Sequence, residues 1–374
     1  MIKKVKKIMK KKEVCILITS SGGIATTGII DCLKNNYENR KIRVVCTDII
    51  SQPLLMYKSD KFYLVPKGNS RKYVNAILKI CKKEKVDVIF PGSGSEIFTL
   101  SKNTKIFRQN NVVVATSNHN SVKIIMDKVG TYDLLRKNDI PVPDYYRVTK
   151  LKEFINAIKK LGYPRKAICF KPAKYNETGG ARGFRILRKK NSLSNIVLKN
   201  KPNSVEIDYD SSIKLFNTTT NVNLLVMEYL PHQEYSVYVF CNNGNMLYCI
   251  PNKREKLLQY YSFRASIVEN KQICNICKKI VKILGLDFNI NLQFKMSANN
   301  IPKLIEINPR IGGTIILPTV AGVNLPYLAI KKALNEKFSA KKSIKKITMI
   351  RYWKELFTNG EKSFEINSNY KKTF

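Results

Sequence analysis

Three oxygen-bearing side chains near residue 300 have the spacing of a metal site. Glu306 and Asn308 are two residues apart in an apolar run, so both side chains leave the same face of an extended strand. Gln293 ends a second short strand pattern, and a hairpin turn through 297–300 would place it opposite both. Carboxylate and carboxamide oxygens suit Mg²⁺. The pattern predicts a Mg²⁺ site, although an ordinary hairpin with a polar outer face would give the same sequence.

A lysine and a glycine-rich loop have the residue types needed to bind phosphate. Lys171 ends a buried strand pattern, and Gly179, Gly180, Ala181 and Arg182 follow in a flexible loop. Glycines let backbone N–H groups approach phosphate oxygens, and a lysine supplies a compact positive charge. Such a loop is also an ordinary hairpin turn, but a lysine at the end of the preceding strand favours the phosphate interpretation.

A short connection between two strand patterns carries two glutamates. Its residues of interest are Met227, Glu228, Tyr229, Leu230 and Glu234. A connection of this kind can offer backbone donors and acceptors to an adenine edge and a carboxylate to ribose hydroxyls. Glu228 and Glu234 are equally well explained as solvated charges.

Two arginines and one lysine complete the candidate residues. Arg310 directly follows the metal pattern, and Arg264 lies in a stretch too polar for a core. Arginine can hold a phosphate or carboxylate in fork geometry, but Arg264 could also be an ordinary surface residue. Asp127 and Lys128 lie in a helical pattern predicted over 121–137, and in isolation they indicate nothing.

The composition excludes several classes of protein. The chain has 374 residues, enough for two or three domains, and no run approaches the roughly 18 apolar residues of a membrane span. Nine scattered cysteines are typical of a reducing, cytoplasmic location. The formal charge of +40 is spread along the whole chain without an RNA-binding motif or zinc finger. We therefore attribute it to a lysine-rich surface and expect no specific nucleic acid partner.

The order of patterns predicts two kinds of architecture. Strand and helix patterns alternate up to about residue 115, which indicates a parallel sheet in an α/β domain. From residue 166 onward, strand patterns joined by hairpin signals predict an antiparallel, α+β arrangement. The polar stretch 191–220 predicts an irregular surface insertion.

The ordered set of these elements resembles the ATP-grasp superfamily, in particular the large chain of carbamoyl phosphate synthase. The resemblance covers about residues 13–335 and rests on Asp127-Lys128, Phe170-Lys171-Pro172, the Gly179–Phe184 loop, Met227–Leu230, Gln293 and Glu306–Arg310. It implies an N-terminal α/β domain at 13–120 and an ATP-grasp domain at 121–335. ATP would lie between a lid subdomain, about 121–226, and a larger subdomain, about 227–335. Residues 336–374 would form a C-terminal strand and tail.

The resemblance also implies a role for each candidate residue. ATP would be bound by Lys128, Lys171, the 179–182 loop, the 227–230 backbone and Glu234. One or two Mg²⁺ ions, for which Mn²⁺ could substitute, would be held by Gln293, Glu306 and Asn308. Arg310 and Arg264 would steady the transferred phosphoryl group or an acyl intermediate. Many relatives have an acidic residue in place of Gln293, so a second ion would bind less tightly here.

These implications predict a cytoplasmic ATP-dependent ligase that joins a small-molecule carboxylate to an amine through an acyl phosphate. Its oligomeric state is open, with a homodimer among the alternatives. A non-catalytic nucleotide-binding regulatory module is a second hypothesis, but the presence of Glu306, Asn308 and both lysines disfavours it. A basic nucleic-acid-binding protein is a third hypothesis, which only the charge supports.

Overall fold

The computed structural model describes residues 13–174, 183–189, 205–258, 261–338, 343–359 and 363–365. Three sheets of five or six strands form the architecture of these ranges, with a two-stranded hairpin near their end. The loop predicted to cover phosphate, Gly179–Arg182, lies outside the described residues. Within them, no helix is long and apolar enough to cross a membrane.

The N-terminal part is a parallel sheet covered by helices on both faces. Its elements are β1 (Val14–Ile18), α1 (Ala25–Lys34), β2 (Ile42–Asp48), α2 (Pro53–Lys58), β3 (Lys61–Leu64), α3 (Tyr73–Glu84), β4 (Val88–Phe90), α4 (Gly94–Lys102), α5 (Thr104–Gln109) and β5 (Val113–Val114). The strand order is β3-β2-β1-β4-β5. Every residue of β1 is buried, as in parallel strands with both faces covered. The predicted parallel-sheet fold is confirmed.

A second, smaller sheet follows. Its elements are α6 (His119–Met126), α7 (Lys128–Arg136), β6 (Tyr145–Val148), α8 (Leu151–Lys160), β7 (Ile168–Pro172), β8 (Arg185–Leu187), β9 (Glu206–Ile207), α9 (Tyr209–Thr218) and β10 (Leu224–Glu228). The strand order is β6-β10-β7-β8-β9. Its core centres on Phe154, whose ring centroid lies 5.5 Å from that of Phe170 and 5.2 Å from that of Phe216.

Two local predictions in this part are wrong. The helix predicted over 121–137 is interrupted at Asp127, whose backbone is extended and whose side chain accepts a hydrogen bond from the Gly130 amide. Asp127 therefore caps the N-terminus of α7, a role for which aspartate is strongly preferred. Of the stretch 191–220, residues 191–204 lie outside the described residues, and the described part contains α9, because Ile213 and Phe216 share one helix face and pack on the small sheet.

The third sheet is antiparallel throughout. Its elements are β11 (Glu234–Asn242), β12 (Asn245–Leu258), β13 (Tyr261–Ile267), α10 (Lys271–Leu284), β14 (Phe288–Met296), β15 (Pro302–Asn308), α11 (Ile316–Val320), α12 (Leu325–Ala333) and β16 (Thr348–Ile350), and the final hairpin is β17 (Phe357–Thr358) with β18 (Ser363–Phe364). The strand order is β15-β14-β11-β12-β13-β16, so β15 is an edge strand.

The two faces of this large sheet pack against different partners. Leu292 and Phe294 lie on the face that packs against α10. Tyr238 and Phe240 lie on the opposite face, in a core shared with α12 and with α1 of the N-terminal sheet. We call this second side the inner face. Where its apolar packing ends, near the start of β11 and the end of β15, the inner face is polar.

Candidate functional site

An oxygen-rich patch lies at the polar end of the inner face. In the β14–β15 pair, Gln293 lies directly opposite Glu306, and Asn291 lies directly opposite Asn308. The intervening residues of both strands are buried against α10, so these four side chains leave the same face. We call them the oxygen patch. The predicted hairpin thus brings together the three residues proposed as metal ligands.

The donor set of the oxygen patch fits a hard cation. Asn291 and Asn308 are buried, whereas Gln293 and Glu306 are half-buried and face the open side. One carboxylate and carboxamide oxygens suit Mg²⁺, which keeps several waters and takes one or two carboxylates. Among the described residues no group of three His, Cys, Asp or Glu side chains could hold a metal. The oxygen patch itself contributes one carboxylate, that of Glu306, and three carboxamides.

Both candidate phosphate-binding lysines lie against the edge of β15. The Ile305 carbonyl accepts hydrogen bonds from the Lys171 ammonium (2.9 Å) and from the Tyr132 hydroxyl (2.8 Å). The Lys128 ammonium donates to the Pro172 carbonyl at 3.1 Å. An edge strand leaves carbonyls without a strand partner, and here such a carbonyl accepts from a lysine. Lys171 belongs to β7, and Lys128 is the first residue of α7. The interruption of the helix at Asp127 therefore positions the Lys128 ammonium.

Lys128 and Glu306 line the same small cavity, together with Thr131 and Tyr132. Burial and, to a smaller extent, repulsion by the neighbouring Lys171 together lower the pKa of Lys128 to about 8, against the opposing effects of Glu306 and Asp127. Two buried ammonium groups thus lie near one carboxylate. That balance of charge is complementary to a polyphosphate accompanied by a divalent cation.

The connection between the small and large sheets is held by an ion pair, a hydrogen bond and two cation–ring contacts. Glu228 ends β10, accepts a hydrogen bond from the Asp144 amide (2.9 Å) and forms an ion pair with Lys303 (2.5 Å). The next residue, Tyr229, has Arg188 and Lys295 near its ring, each 4.9 Å from the centroid. Met227 and Leu230 are buried and fix the path of the backbone. The connection is therefore a defined segment where the two sheets meet.

Glu234 is not a solvated carboxylate. It begins β11 and forms a mostly buried ion pair with Arg254, which lies opposite it on β12. Arg254 also donates through Nε to the Ser262 hydroxyl at 2.9 Å. A ribose hydroxyl approaching Glu234 would have to share the carboxylate with this guanidinium.

The two predicted arginines are placed differently. Arg310 is half-buried beside the oxygen patch, where its guanidinium lies 3.4 Å from the Asn308 side-chain oxygen. Arg264 lies on the other side of the sheet. The residue after it, Ala265, is buried in the inner-face core, and successive residues of a strand point to opposite faces. Its side chain is 53% exposed and pairs with Glu255. The structure therefore does not bring Arg264 to the oxygen patch, and the alternative of a surface arginine holds.

Sequence reasoning missed a second arginine at this site. Arg351 follows β16, and its guanidinium donates to the carbonyls of Ser262 (3.1 Å) and Gly313 (2.5 Å). Gly313 belongs to the loop after β15 that also carries Arg310. No sequence signal distinguished Arg351, because its position depends on the pairing of β16 with β13 about 80 residues earlier.

The N-terminal sheet meets the site through its β1–α1 loop. A Cβ atom added at Gly313 would lie 3.4 Å from the Ile24 side chain, so the two loops are in contact. The Asp48 carboxylate accepts from the Gly22 amide at 2.7 Å and fixes the same loop. The carboxyl ends of β1 and β4, where the strand order reverses, therefore lie at the rim of the inner-face site, which is where open parallel sheets bind ligands.

Comparison with known protein families agrees with this geometry. Residues 220–356 match a family described as ATP-grasp in the biosynthetic pathway with Ter operon, and residues 16–115 match the PylC-like N-terminal domain. Over residues 220–356 the chain is therefore similar to an ATP-grasp family. The first match contains the oxygen patch, and the second contains the N-terminal parallel sheet except for the first two residues of β1.

The individual relatives of this chain are distant. The carbamoyl phosphate synthase large chain of Clostridium acetobutylicum is 24% identical over 268 residues, which are 69% of this chain and 23% of that protein. The chain thus spans about a quarter of the length of this relative. The structure of N5-carboxyaminoimidazole synthetase from Staphylococcus aureus aligns with a TM-score of 0.64 at 15% identity, covering 90% of this chain and 82% of that one. Phosphoribosylglycinamide synthetase from Anaerococcus prevotii aligns at 0.60 and 18% identity, covering 97% and 86%. Likeness at this identity establishes the fold.

Proposed function

We propose that this protein is an ATP-dependent carboxylate–amine ligase that works through an acyl phosphate. One observation carries the proposal: Gln293 and Glu306 face each other across β14 and β15, and Glu306 shares a cavity with the buried Lys128. A metal-binding carboxylate beside a buried ammonium is what a metal–triphosphate complex requires. The similarity of residues 220–356 to an ATP-grasp family supports the same conclusion.

Each part of the site has an assigned role in this proposal. Gln293, Glu306 and Asn308 would hold Mg²⁺, which would neutralise the triphosphate. Lys171 and Lys128 would exchange their carbonyl partners for phosphate oxygens. The 227–230 segment would present its backbone to adenine, and Glu234 would reach ribose only by sharing its carboxylate with Arg254. We assign the N-terminal domain to 13–120, the ATP-grasp domain to 121–335 and the remaining segment to 336–374.

The proposed reaction has two steps. The substrate carboxylate attacks the γ-phosphorus of ATP, and ADP leaves as the acyl phosphate forms. The amine then attacks the acyl carbon, inorganic phosphate leaves and the amine loses a proton, which yields the amide. Arg310, half-buried beside Asn308, is placed to hold the oxyanions of both steps. Positioning and charge stabilisation supply most of the acceleration in phosphoryl transfer, so the site needs no nucleophilic side chain.

The test combines nucleotide binding with turnover. MgATP is titrated calorimetrically into the purified protein, and phosphate release is then measured over pooled carboxylic acids and amines, with and without EDTA. We expect binding that EDTA weakens, and phosphate release that needs both an acid and an amine. Glu306→Gln keeps the side-chain volume and removes the charge, so it should reduce phosphate release at least about 100-fold while leaving the unfolding temperature within a few degrees. MgATP binding and turnover equal to wild type in this variant would refute the metal assignment.

If MgATP binds but no pool of acids and amines leads to phosphate release, the protein would instead be a nucleotide-binding regulatory module. Failure to bind MgATP at millimolar concentration would refute the proposal as a whole. A cytoplasmic location and action on small metabolites remain parts of this proposal.

A further inference from the structure

Arg351 is a half-buried cation without an acidic partner in the part of the chain that the structure describes. Its backbone amide donates to the Phe263 carbonyl at 2.9 Å, which extends the β13–β16 pairing. Among the described residues, its guanidinium donates to the two carbonyls already named, those of Ser262 and Gly313. Carbonyl dipoles orient a guanidinium but do not cancel its charge. A charge withdrawn from water in this way is costly unless an anion joins it.

A second guanidinium increases this positive potential. Arg254 lies on the inner face close to Arg351, and both arginines contact Ser262, one through its hydroxyl and one through its carbonyl. Burial lowers the pKa of Arg351, Tyr238 opposes that effect, and Arg254 lowers the pKa again by repulsion. Glu234 pairs with Arg254, so these three side chains together carry one net positive charge.

Asn252 provides an independent indication of a missing ligand. It is fully buried on β12, two residues before Arg254 and therefore on the same face. Neither polar atom of its side chain has a hydrogen-bond partner among the described residues. Buried carboxamides are almost always hydrogen-bonded, so an orphaned one at a site needs an explanation. Its cross-strand neighbour Ser236 is already used as the acceptor of a hydrogen bond from Asn291.

These groups adjoin the oxygen patch without overlapping it. Tyr238 lies opposite Asn291, and its hydroxyl donates to or accepts from the Thr314 hydroxyl at 2.6 Å. The loop that carries Arg310 passes over this point so closely that a Cβ at Gly312 would lie 2.9 Å from both Asn291 and Tyr238. Arg351 holds the next residue of that loop. An anion bound at Arg351 would thus be separated from the reacting centre by little more than this loop.

We propose that Arg351, together with Arg254 and Asn252 on the same face of the sheet, binds a second oxyanion of the substrate, distinct from the carboxylate that is activated. This proposal rests on the proposed ligase function and names its substrate class: one of the two condensing molecules carries an additional carboxylate or phosphate. Arg351 sets specificity by neutralising the negative charge of this group, and Asn252 supplies an amide donor once the ligand is bound. A substrate without the second oxyanion leaves both groups unpaired.

The experiment measures oxyanion binding with the nucleotide site filled by the magnesium complex of a non-hydrolysable ATP analogue. Succinate is compared with butyrate and O-phospho-L-serine with L-serine, which separates a carboxylate source from a phosphate source. Calorimetric titrations use wild type, Arg351→Gln, Asn252→Leu and the control Lys346→Gln. Lys346 is 72% exposed and lies five residues before Arg351, so its replacement removes the same charge away from the site.

We expect succinate or phosphoserine to bind wild type and Lys346→Gln at least ten-fold more tightly than Arg351→Gln, with no such difference for butyrate or serine. Asn252→Leu removes an orphaned buried amide, so it should keep or raise the unfolding temperature while weakening the same probe. If Arg351→Gln does not fold, the Asn252→Leu comparison decides. The subsite would be refuted if succinate and phosphoserine bound equally well to wild type and to the Arg351→Gln and Asn252→Leu variants, or if neither anion bound to any of them. If the ATP analogue did not bind to the wild-type protein, the proposed ligase function itself would be refuted.

Discussion

MgATP binding at pH 8 should be accompanied by partial proton uptake, and the proton should bind to the side chain of Lys128. Burial places the pKa of this ammonium at about 8 in the unliganded protein, against 10.5 ordinarily. A bound triphosphate favours the charged form and returns the pKa toward its ordinary value. At pH 8 about half of the unliganded molecules lack this proton, so MgATP binding should take up about half a proton. At pH 6.5 the uptake should be close to zero.

The affinity follows from the same linkage. Because the uncharged lysine must be protonated before it can bind phosphate, the Kd for MgATP should rise about two-fold at pH 8 and about ten-fold at pH 9, relative to pH 6.5. The stability of the unliganded protein, in contrast to its affinity for MgATP, should increase as the pH rises. The folded pKa is depressed, so the cost of burying a charged lysine is relieved as the pH rises from about 8 towards 10.5.

The assay is calorimetry at pH 8 in two buffers with different ionisation enthalpies, which gives the number of protons exchanged. Lys128→Met should abolish the uptake and weaken binding at every pH. Lys128→Arg keeps a permanent charge, so it should abolish the uptake and remove the pH dependence of the Kd between 7 and 9. Equal proton uptake in wild type and Lys128→Met at pH 8 would show that Lys128 does not meet the triphosphate.

Two further predictions test the packing and the arginine assignment. Phe154→Ala empties the centre of the small-sheet core, so it should lower the free energy of unfolding by about 3–5 kcal/mol in urea titrations. The control Ile155→Ala, at a position 41% exposed, should lower it by less than about 1 kcal/mol. Similar losses of stability at both positions would contradict the described packing. Arg264→Gln should keep the rate of ATP-dependent phosphate release within about two-fold of wild type, because Arg264 lies on the face opposite the oxygen patch. A hundred-fold loss in that assay would restore it as a catalytic residue.

The features that the sequence predicted well depend on local pairing. Gln293 meets Glu306 because β14 and β15 are joined by a short turn, which fixes their register. The strands of the N-terminal sheet were recognisable as short buried runs, since helices cover both faces of that sheet. In both cases the signal and the structure it specifies lie within a few residues of each other.

The break at Asp127 shows why one local feature was missed. The apolar periodicity continues across the junction of α6 and α7, so a pattern-based prediction joins them. What separates them is a side-chain cap together with the backbone hydrogen bond from the Lys128 amide to the Ala173 carbonyl. That second bond comes from the small sheet, more than 40 residues away, and it places the Lys128 ammonium at the site. Periodicity carries no information about such a partner.

The arginines show the same limit at the level of the whole sheet. Arg264 and Arg351 are both associated with the β13–β16 pair, and their backbones lie close together, yet only Arg351 reaches the inner face. A one-residue change of phase moves a side chain from one face of a sheet to the other. The phase of β13 is set by β12, and that of β16 by β13, across a gap of about 80 residues. The face of the sheet on which an arginine side chain lies therefore cannot be predicted from the sequence until these registers are known. Here one face carries the exposed ion pair of Arg264 with Glu255, and the other carries Arg351, which has no ion pair with any residue that the structure describes.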